Sequence, residues 1–67
     1  MGYVVANGRK VETKFPIKLS EFLNKQNIPV KSVVVERNKQ AVSPSSFGEL
    51  DLRDGDSLEI VNIVAGG

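Results

Sequence analysis

Hydrophobic and polar residues alternate with a period of two at the start of the chain. Residues 3–6 form a short apolar run that stops at Asn7-Gly8, a dipeptide typical of hairpins because a type I′ turn needs positive φ at both central positions. Over residues 10–15, charged side chains alternate with uncharged ones, which predicts a return strand with one side facing solvent. Pro16 lacks an amide hydrogen, so we expect it to end the ladder.

The spacing then changes from that of a strand to that of a helix. Leu19, Phe22 and Leu23 occupy positions i, i+3 and i+4, which places them on one face of a helix of about two turns over residues 19–26. Lys18 precedes this helix and is a poor N-cap, because its side chain cannot accept a hydrogen bond from the first amides. A helix this short must be stabilised by packing against a sheet.

The second half of the chain predicts strands again. Residues 32–36 are the segment richest in β-branched side chains, which favours a strand, and Asn38-Lys39 turns this strand into a short one over residues 40–42. Residues 43–46 are predicted to be a loop. Asp54-Gly55-Asp56 has the composition of a turn that opens the last strand. The apolar residues expected to pack beneath the loop are Phe47, Leu50 and Leu52.

The predicted element order is hairpin, helix, strand, short strand, loop and strand. A hairpin followed by a helix that packs across a mixed sheet is an α+β fold. Placing the last strand beside the first, in parallel and at the centre of the sheet, gives the ubiquitin-like β-grasp arrangement, with four to five strands and one helix across one face. We expect a single domain, residues 1–67, whose C-terminal tail is flexible from about residue 62.

Composition excludes most catalytic chemistry. The 67 residues include no cysteine and no histidine, which excludes a disulfide, a Cys/His zinc site, a thiol nucleophile and an imidazole base. Asp51, Asp54 and Asp56 lack the spacing of a calcium-binding loop, and turn propensity accounts for them. We therefore expect no catalytic residue, no metal site and no cofactor bound by the chain itself.

Charge and hydropathy predict a cytoplasmic protein without a nucleic-acid or membrane partner. The formal net charge is +1, which gives no strong field to attract nucleic acid. No apolar run approaches the roughly 20 residues that a membrane-spanning helix needs, and no signal peptide is recognisable.

The last two residues, Gly66-Gly67, are the strongest functional signal. Glycine lacks a Cβ and adopts φ of either sign, so the backbone of another protein can approach it closely. A compact body with such an arm would present the carboxylate of Gly67 to a narrow channel, and residues 62–67 could reach about 20 Å if extended. Because the sequence ends at Gly67, we expect that no protease is needed to expose this carboxylate.

On these residues the chain resembles the ThiS family of sulfur carriers, which are ubiquitin-like β-grasp proteins of thiamin thiazole biosynthesis. The resemblance covers nearly the whole chain. The ending is its specific part, since the other features are common to many β-grasp domains. The features are the Asn7-Gly8 hairpin, Leu19-x-x-Phe22-Leu23 on the helix, Asp54-Gly55-Asp56 before the last strand, and the ending Val64-Ala65-Gly66-Gly67.

The resemblance implies a carrier that partner enzymes modify. A ThiF-like adenylyltransferase would use ATP to adenylate the carboxylate of Gly67, while Val64, Ala65 and Gly66 thread through the active site of the partner. A sulfurtransferase and cysteine desulfurase system would then convert the acyl-adenylate into a thiocarboxylate. A ThiG-like thiazole synthase would receive the sulfur.

The sheet face opposite the helix is predicted to be a docking face. If Leu58 and Ile60 point towards the helix, alternation sends the residues between and after them to the open side. An apolar patch with a charged rim is suited to binding a partner. The residues predicted for this face are Tyr3, Val5, Val34, Glu59, Val61 and Ile63, with Lys10, Glu12, Lys14 and Glu36 around its edge.

Several other functions would use the same features. The small subunit of molybdopterin synthase has the same fold, tail and thiocarboxylate. A sulfur carrier for cysteine or tRNA thiolation would have them too. A ubiquitin-like protein modifier would instead join Gly67 to lysines of target proteins, and a plain β-grasp binding module would leave the tail passive. Intact mass separates these functions, because thiocarboxylation exchanges one oxygen for one sulfur, whereas conjugation gives high-mass adducts.

Overall fold

A mixed sheet of five strands forms the centre of the protein, whose computed structural model describes residues 2–63. In this sheet β7 lies between β1 and β4, in parallel with β1 and antiparallel to β4. The predicted α+β architecture, with the last strand central and parallel to the first, is confirmed. In chain order the strands are β1 (Gly2–Ala6), β2 (Arg9–Thr13), β3 (Ile17–Lys18), β4 (Val33–Arg37), β5 (Gln40–Val42), β6 (Asp51–Leu52) and β7 (Ser57–Asn62), and the sheet order is β2-β1-β7-β4-β5.

The first hairpin has the predicted turn, and the turn also contacts β7. Asn7 and Gly8 have φ of 51° and 81°, the positive values that a type I′ turn requires. The side-chain amide of Asn7 forms the same kind of hydrogen bonds with β7 that the backbone of a neighbouring strand would form. Its Oδ1 accepts a 2.7 Å hydrogen bond from the amide of Ile60, and its Nδ2 donates one of 3.0 Å to the Ile60 carbonyl oxygen. These two bonds extend the contact between β1 and β7 past the last residue of β1.

Helix α1 (Leu19–Lys25) covers one face of the sheet. The predicted apolar stripe of Leu19, Phe22 and Leu23 is fully buried. The helix ends at Lys25 with Gln26 as its C-cap, and the next residue, Asn27, has a φ of 59° that reverses the chain. The amide of Ile28 then donates a 2.9 Å hydrogen bond to the carbonyl oxygen of Leu23, the bond that defines a Schellman end.

The start of α1 is stabilised by the loop that precedes β6 rather than by an N-cap side chain. Lys18 occupies the N-cap position and its side chain caps no helix amide. The amides of Leu19 and Ser20 instead donate 2.9 Å hydrogen bonds to the carbonyl oxygens of Leu50 and Phe47. A segment about 30 residues later in the chain therefore satisfies two of the helix amides that would otherwise be unpaired.

A second, two-stranded sheet of β3 and β6 was not predicted from the sequence. Ile17 pairs with Leu52, and Lys18 pairs with Asp51. Strands of two residues are too short to show a period of two, so the pattern gave no signal for them. Ile17 and Leu52 are both buried, and the predicted burial of Phe47 beneath the loop is confirmed.

The core lies entirely on the helix side of the main sheet. Val4, Val33, Val35 and Leu58 point towards α1 and are at most 5% exposed. Within residues 2–63, no strand residue on the opposite face, which we call the open face, is buried. No helix in this part of the chain is long and apolar enough to cross a bilayer.

Candidate functional site

The chain leaves the sheet at the end of its central strand. Asn62 is the last residue of β7 and pairs with Val33. The amide of Ile63 donates a 2.8 Å hydrogen bond to the carbonyl oxygen of Ser32. The tail expected from about residue 62 therefore begins with two residues that are held to the body, Asn62 by its place in the ladder and Ile63 by this hydrogen bond. The remaining predicted tail residues, Val64, Ala65, Gly66 and the attachment residue Gly67, lie outside the described residues.

The open face carries an exposed pair of valines close to this end of β7. Leu58 is fully buried and Ile60 packs against the core, so alternation directs Val61 away from the helix. Val61 lies opposite Val34 on β4. The two side chains, which we call the valine pair, are 59% and 44% exposed.

Tyr3 and Val5 lie on the same open face but at the other end of β7. Their neighbour Val4 is fully buried beneath the helix, so both point to the open side, where they are half-buried. Val5 pairs with Ser57 at the start of β7. The ammonium of Lys10 lies 4.5 Å above the centre of the Tyr3 ring. The predicted docking face is therefore divided into two apolar parts.

Two glutamates separate these apolar parts. Glu59 belongs to the predicted face, and it lies directly opposite Glu36 in the ladder between β4 and β7. The sequence placed Glu36 at the edge of the face. It lies in the interior instead, because β4 is flanked by β5. Only the register between the two strands could have shown this glutamate pair, Glu36 and Glu59, and the sequence pattern does not give that register.

Ile63 has a different environment from the valine pair. It follows the last residue of β7, where alternation no longer fixes the direction of a side chain. The residue is 58% exposed, and it lines a hollow of about 490 Å³ together with Val30, Val33 and Phe47. Since Val33 and Phe47 belong to the core, Ile63 borders the helix side of the sheet, which alternation did not predict.

The turn aspartates bind groups of the protein itself. Asp54 accepts a 3.0 Å hydrogen bond from the amide of Tyr3. Asp56 is 7% exposed and accepts hydrogen bonds from the amide of Arg53 at 2.8 Å and from Nδ2 of Asn38 at 3.1 Å. Across residues 2–63, no group of three or more acidic residues is arranged to hold a metal ion. These hydrogen bonds attach the turns to neighbouring parts of the chain, so the aspartates have a structural role.

Two curated proteins are similar to this chain along nearly all of its length. Sulfur carrier protein ThiS from Bacillus subtilis is 36% identical over 62 residues, which cover 91% of this chain and 94% of that protein. Thiazole synthase from Paramagnetospirillum magneticum is 33% identical over 64 residues, which cover 96% of this chain. The chain spans only 20% of the length of that synthase.

Solved structures and a family model agree with this similarity. A crystal structure of thiamine biosynthesis protein ThiS from Geobacter metallireducens has a TM-score of 0.82 and 22% identity, covering 97% of this chain and 99% of that one. A solution structure of a thiamine biosynthesis protein from the same organism has a TM-score of 0.78 and 24% identity, covering 97% and 87%. These structures confirm the ubiquitin-like β-grasp fold. Since the model of the ThiS family matches residues 4–67, the chain belongs to the ThiS family.

Proposed function

We propose that this protein carries sulfur as a thiocarboxylate on Gly67 and delivers it to the synthesis of the thiamin thiazole. A member of the ThiS family is a small sulfur carrier on which partner enzymes act, and is not itself a catalyst. The observation that supports this function most strongly is the similarity to a sulfur carrier protein over 94% of that protein's length. The similarity to a thiazole synthase supports the proposal that a thiazole synthase accepts the sulfur.

The proposed chemistry needs no acid or base from the carrier. A carboxylate is a poor electrophile, so an oxygen of the Gly67 carboxylate first attacks the α-phosphorus of ATP and expels pyrophosphate. The terminal sulfur of a persulfide supplied by a sulfurtransferase and cysteine desulfurase system then displaces AMP and forms an acyl disulfide. A second thiol reduces this disulfide, releasing the thiocarboxylate and a new disulfide. A ThiF-like adenylyltransferase would catalyse the first step in the cytoplasm, and a ThiG-like thiazole synthase would accept the sulfur. The absence of histidine and cysteine from the sequence agrees with this division of labour.

The geometry of the body suits delivery of a chain end. The central strand β7 is paired on both sides, and the hydrogen bond from Ile63 to Ser32 fixes where the chain leaves the body. The four residues after Ile63 span at most about 13 Å, less than the 20 Å expected when the tail was counted from residue 62. We expect Val64, Ala65 and Gly66 to occupy a partner channel of this depth, while the open face docks on the partner around that channel.

Intact mass spectrometry tests this function directly. The protein is incubated with ATP, a sulfur source and a candidate ThiF-like adenylyltransferase. We expect a mass increase equal to the difference between one sulfur and one oxygen, and no increase for a variant that lacks Gly67. A wild-type protein whose mass never changes contradicts the proposal. High-mass adducts on other proteins would identify a protein modifier, and sulfur transfer to a molybdopterin synthase instead of a thiazole synthase would identify the alternative pathway.

A further inference from the structure

Two carboxylates oppose each other in the interior of the open face. Glu36 and Glu59 are Cα partners in the ladder between β4 and β7, and both are exposed. Two residues away along the same ladder, the amide of Asn38 donates a 2.8 Å hydrogen bond to the carbonyl oxygen of Ser57. Hydrogen-bonded pairs recur every second residue in an antiparallel ladder. The glutamates therefore form such a pair, with Cβ atoms about 5 Å apart.

No cation of the described chain neutralises this glutamate pair. The ion pairs within residues 2–63 are Lys18 with Asp51 and Arg37 with Asp56. Arg37 follows Glu36 in the chain but lies on the other side of the sheet, where it also donates to the carbonyl oxygen of Asp51. Like charges placed directly opposite each other on a sheet are destabilising. The pair is thus an uncompensated negative centre on a rigid surface.

The cation on the open face also lies apart from the glutamates. Lys10 is on β2, two strands from β7, which is about 10 Å across the sheet. Its ammonium lies over the ring of Tyr3. The positive charge of Lys10 therefore lies at the Tyr3 end, which also carries Glu12 opposite Tyr3, whereas the glutamate pair lies between Tyr3 and the valine pair.

Any partner that covers the valine pair must also contact the two carboxylates of the glutamate pair. Glu59 precedes Val61 by two residues on β7, and Glu36 follows Val34 by two on β4, so the two pairs are about 7 Å apart. A surface that buries one pair removes water from the other. Removing water from carboxylates without supplying a counter-charge is costly. The register between β4 and β7 therefore requires a partner that places a positive charge opposite the glutamate pair.

We infer that the partner docked on the open face sets an arginine side chain against Glu36 and Glu59, beside an apolar side chain that covers the valine pair. A guanidinium is planar and donates in several directions, so one arginine can bridge two neighbouring carboxylates. The identity of the partner as a ThiF-like adenylyltransferase rests on the proposed function. The charge that it must carry follows from this face alone.

Calorimetric titration with the ThiF-like adenylyltransferase of the same organism tests the inference. The proteins compared are the wild type, the double variant Glu36→Gln/Glu59→Gln, and Glu21→Gln as the matched control. Glu21 is an exposed glutamate on α1, on the other side of the sheet from the open face, and glutamine keeps the side-chain oxygen that accepts from the Lys18 amide. We expect the double variant to bind at least about tenfold more weakly, as for truncation of a central charged contact, while its melting temperature stays the same or rises. The control should bind within about twofold of the wild type.

A further variant separates charge recognition from folding. Glu36→Lys replaces a like-charged pair by an opposite-charged one, so it should fold at least as stably and still lose affinity. A double variant, or a folded Glu36→Lys variant, that binds as tightly as the wild type overturns the inference. So does self-association of the wild type that the double variant abolishes, because the cations would then come from a second copy. A wild type that never gains sulfur overturns the proposed function, whereas sulfur gain with unchanged affinity of the variants overturns only the charge inference.

Discussion

At the scale of single residues, Val61 combines a central position in the sheet with 59% exposure. Its partner Val34 is also exposed, and a β-branched pair of this kind stabilises a ladder without needing a cover. We expect Val61→Asp to weaken binding to the adenylyltransferase by about tenfold or more. The new carboxylate would lose water at the interface and would lie beside the glutamate pair. Calorimetric titration measures this loss.

A control for Val61→Asp exists on the other side of the sheet. Gln40 is exposed on β5 and pairs with Arg37, which faces the helix side. Gln40→Asp changes the net charge by the same amount away from the open face, so affinity should stay within about twofold. Both variants should lose at most about 1 kcal/mol of unfolding free energy, because strand preferences span only that range. Equal binding by Val61→Asp and the wild type would remove the valine pair from the interface.

At the scale of elements, the N-cap residue that precedes α1, Lys18, has a side chain that cannot cap the helix. Lys18 forms a 2.8 Å ion pair with Asp51, but the pair is exposed and is worth about 0.5 kcal/mol. A serine N-cap is worth about 1 kcal/mol, and Glu21 already accepts a hydrogen bond from the Lys18 amide, so serine would complete a capping box. We expect Lys18→Ser to raise the free energy of unfolding by about 0.5 kcal/mol in urea denaturation.

The variant Asp51→Asn provides the comparison for Lys18→Ser. It removes the same ion pair without adding a cap, so it should lower the free energy of unfolding by no more than about 0.5 kcal/mol. If Lys18→Ser were less stable than Asp51→Asn, the loop carbonyl oxygens of Leu50 and Phe47 would already supply all the capping that the helix can use.

At the scale of the whole molecule, the stability of the body should be independent of the tail. Every buried apolar residue of the described core lies between Val4 and Leu58. Deleting residues 64–67 keeps the hydrogen bond from Ile63 to Ser32, so we expect the midpoint of thermal unfolding to change by less than about 4 °C, the shift that roughly 1 kcal/mol produces. The same deletion should abolish thiocarboxylate formation. A larger fall in the midpoint would show that the tail stabilises the fold.

The sequence predicts the features that depend on nearby residues. The Asn7-Gly8 turn and the stripe of Leu19, Phe22 and Leu23 are local, and both are confirmed. The sheet of β3 and β6 and the carbonyl oxygens at the start of α1 depend on residues about 30 positions away, so no local period reveals them. The candidate site divides in the same way. Alternation predicts that Val61 is on the open face, whereas the pairing of Glu36 with Glu59 requires the register between two distant strands.

The hydrogen bonds between the side-chain amide of Asn7 and the backbone of Ile60 have a mechanical consequence. An enzyme that draws the chain end into a channel exerts tension along β7, and β7 runs parallel to β1 and is bonded to β4 on its other side. Tension along such a strand loads its ladder bonds in shear, so they resist together rather than opening one at a time. The two bonds from Asn7 add to this resistance beyond the end of β1. Tension on the C-terminus would therefore be shared by the whole sheet and would not separate β7 from its neighbours.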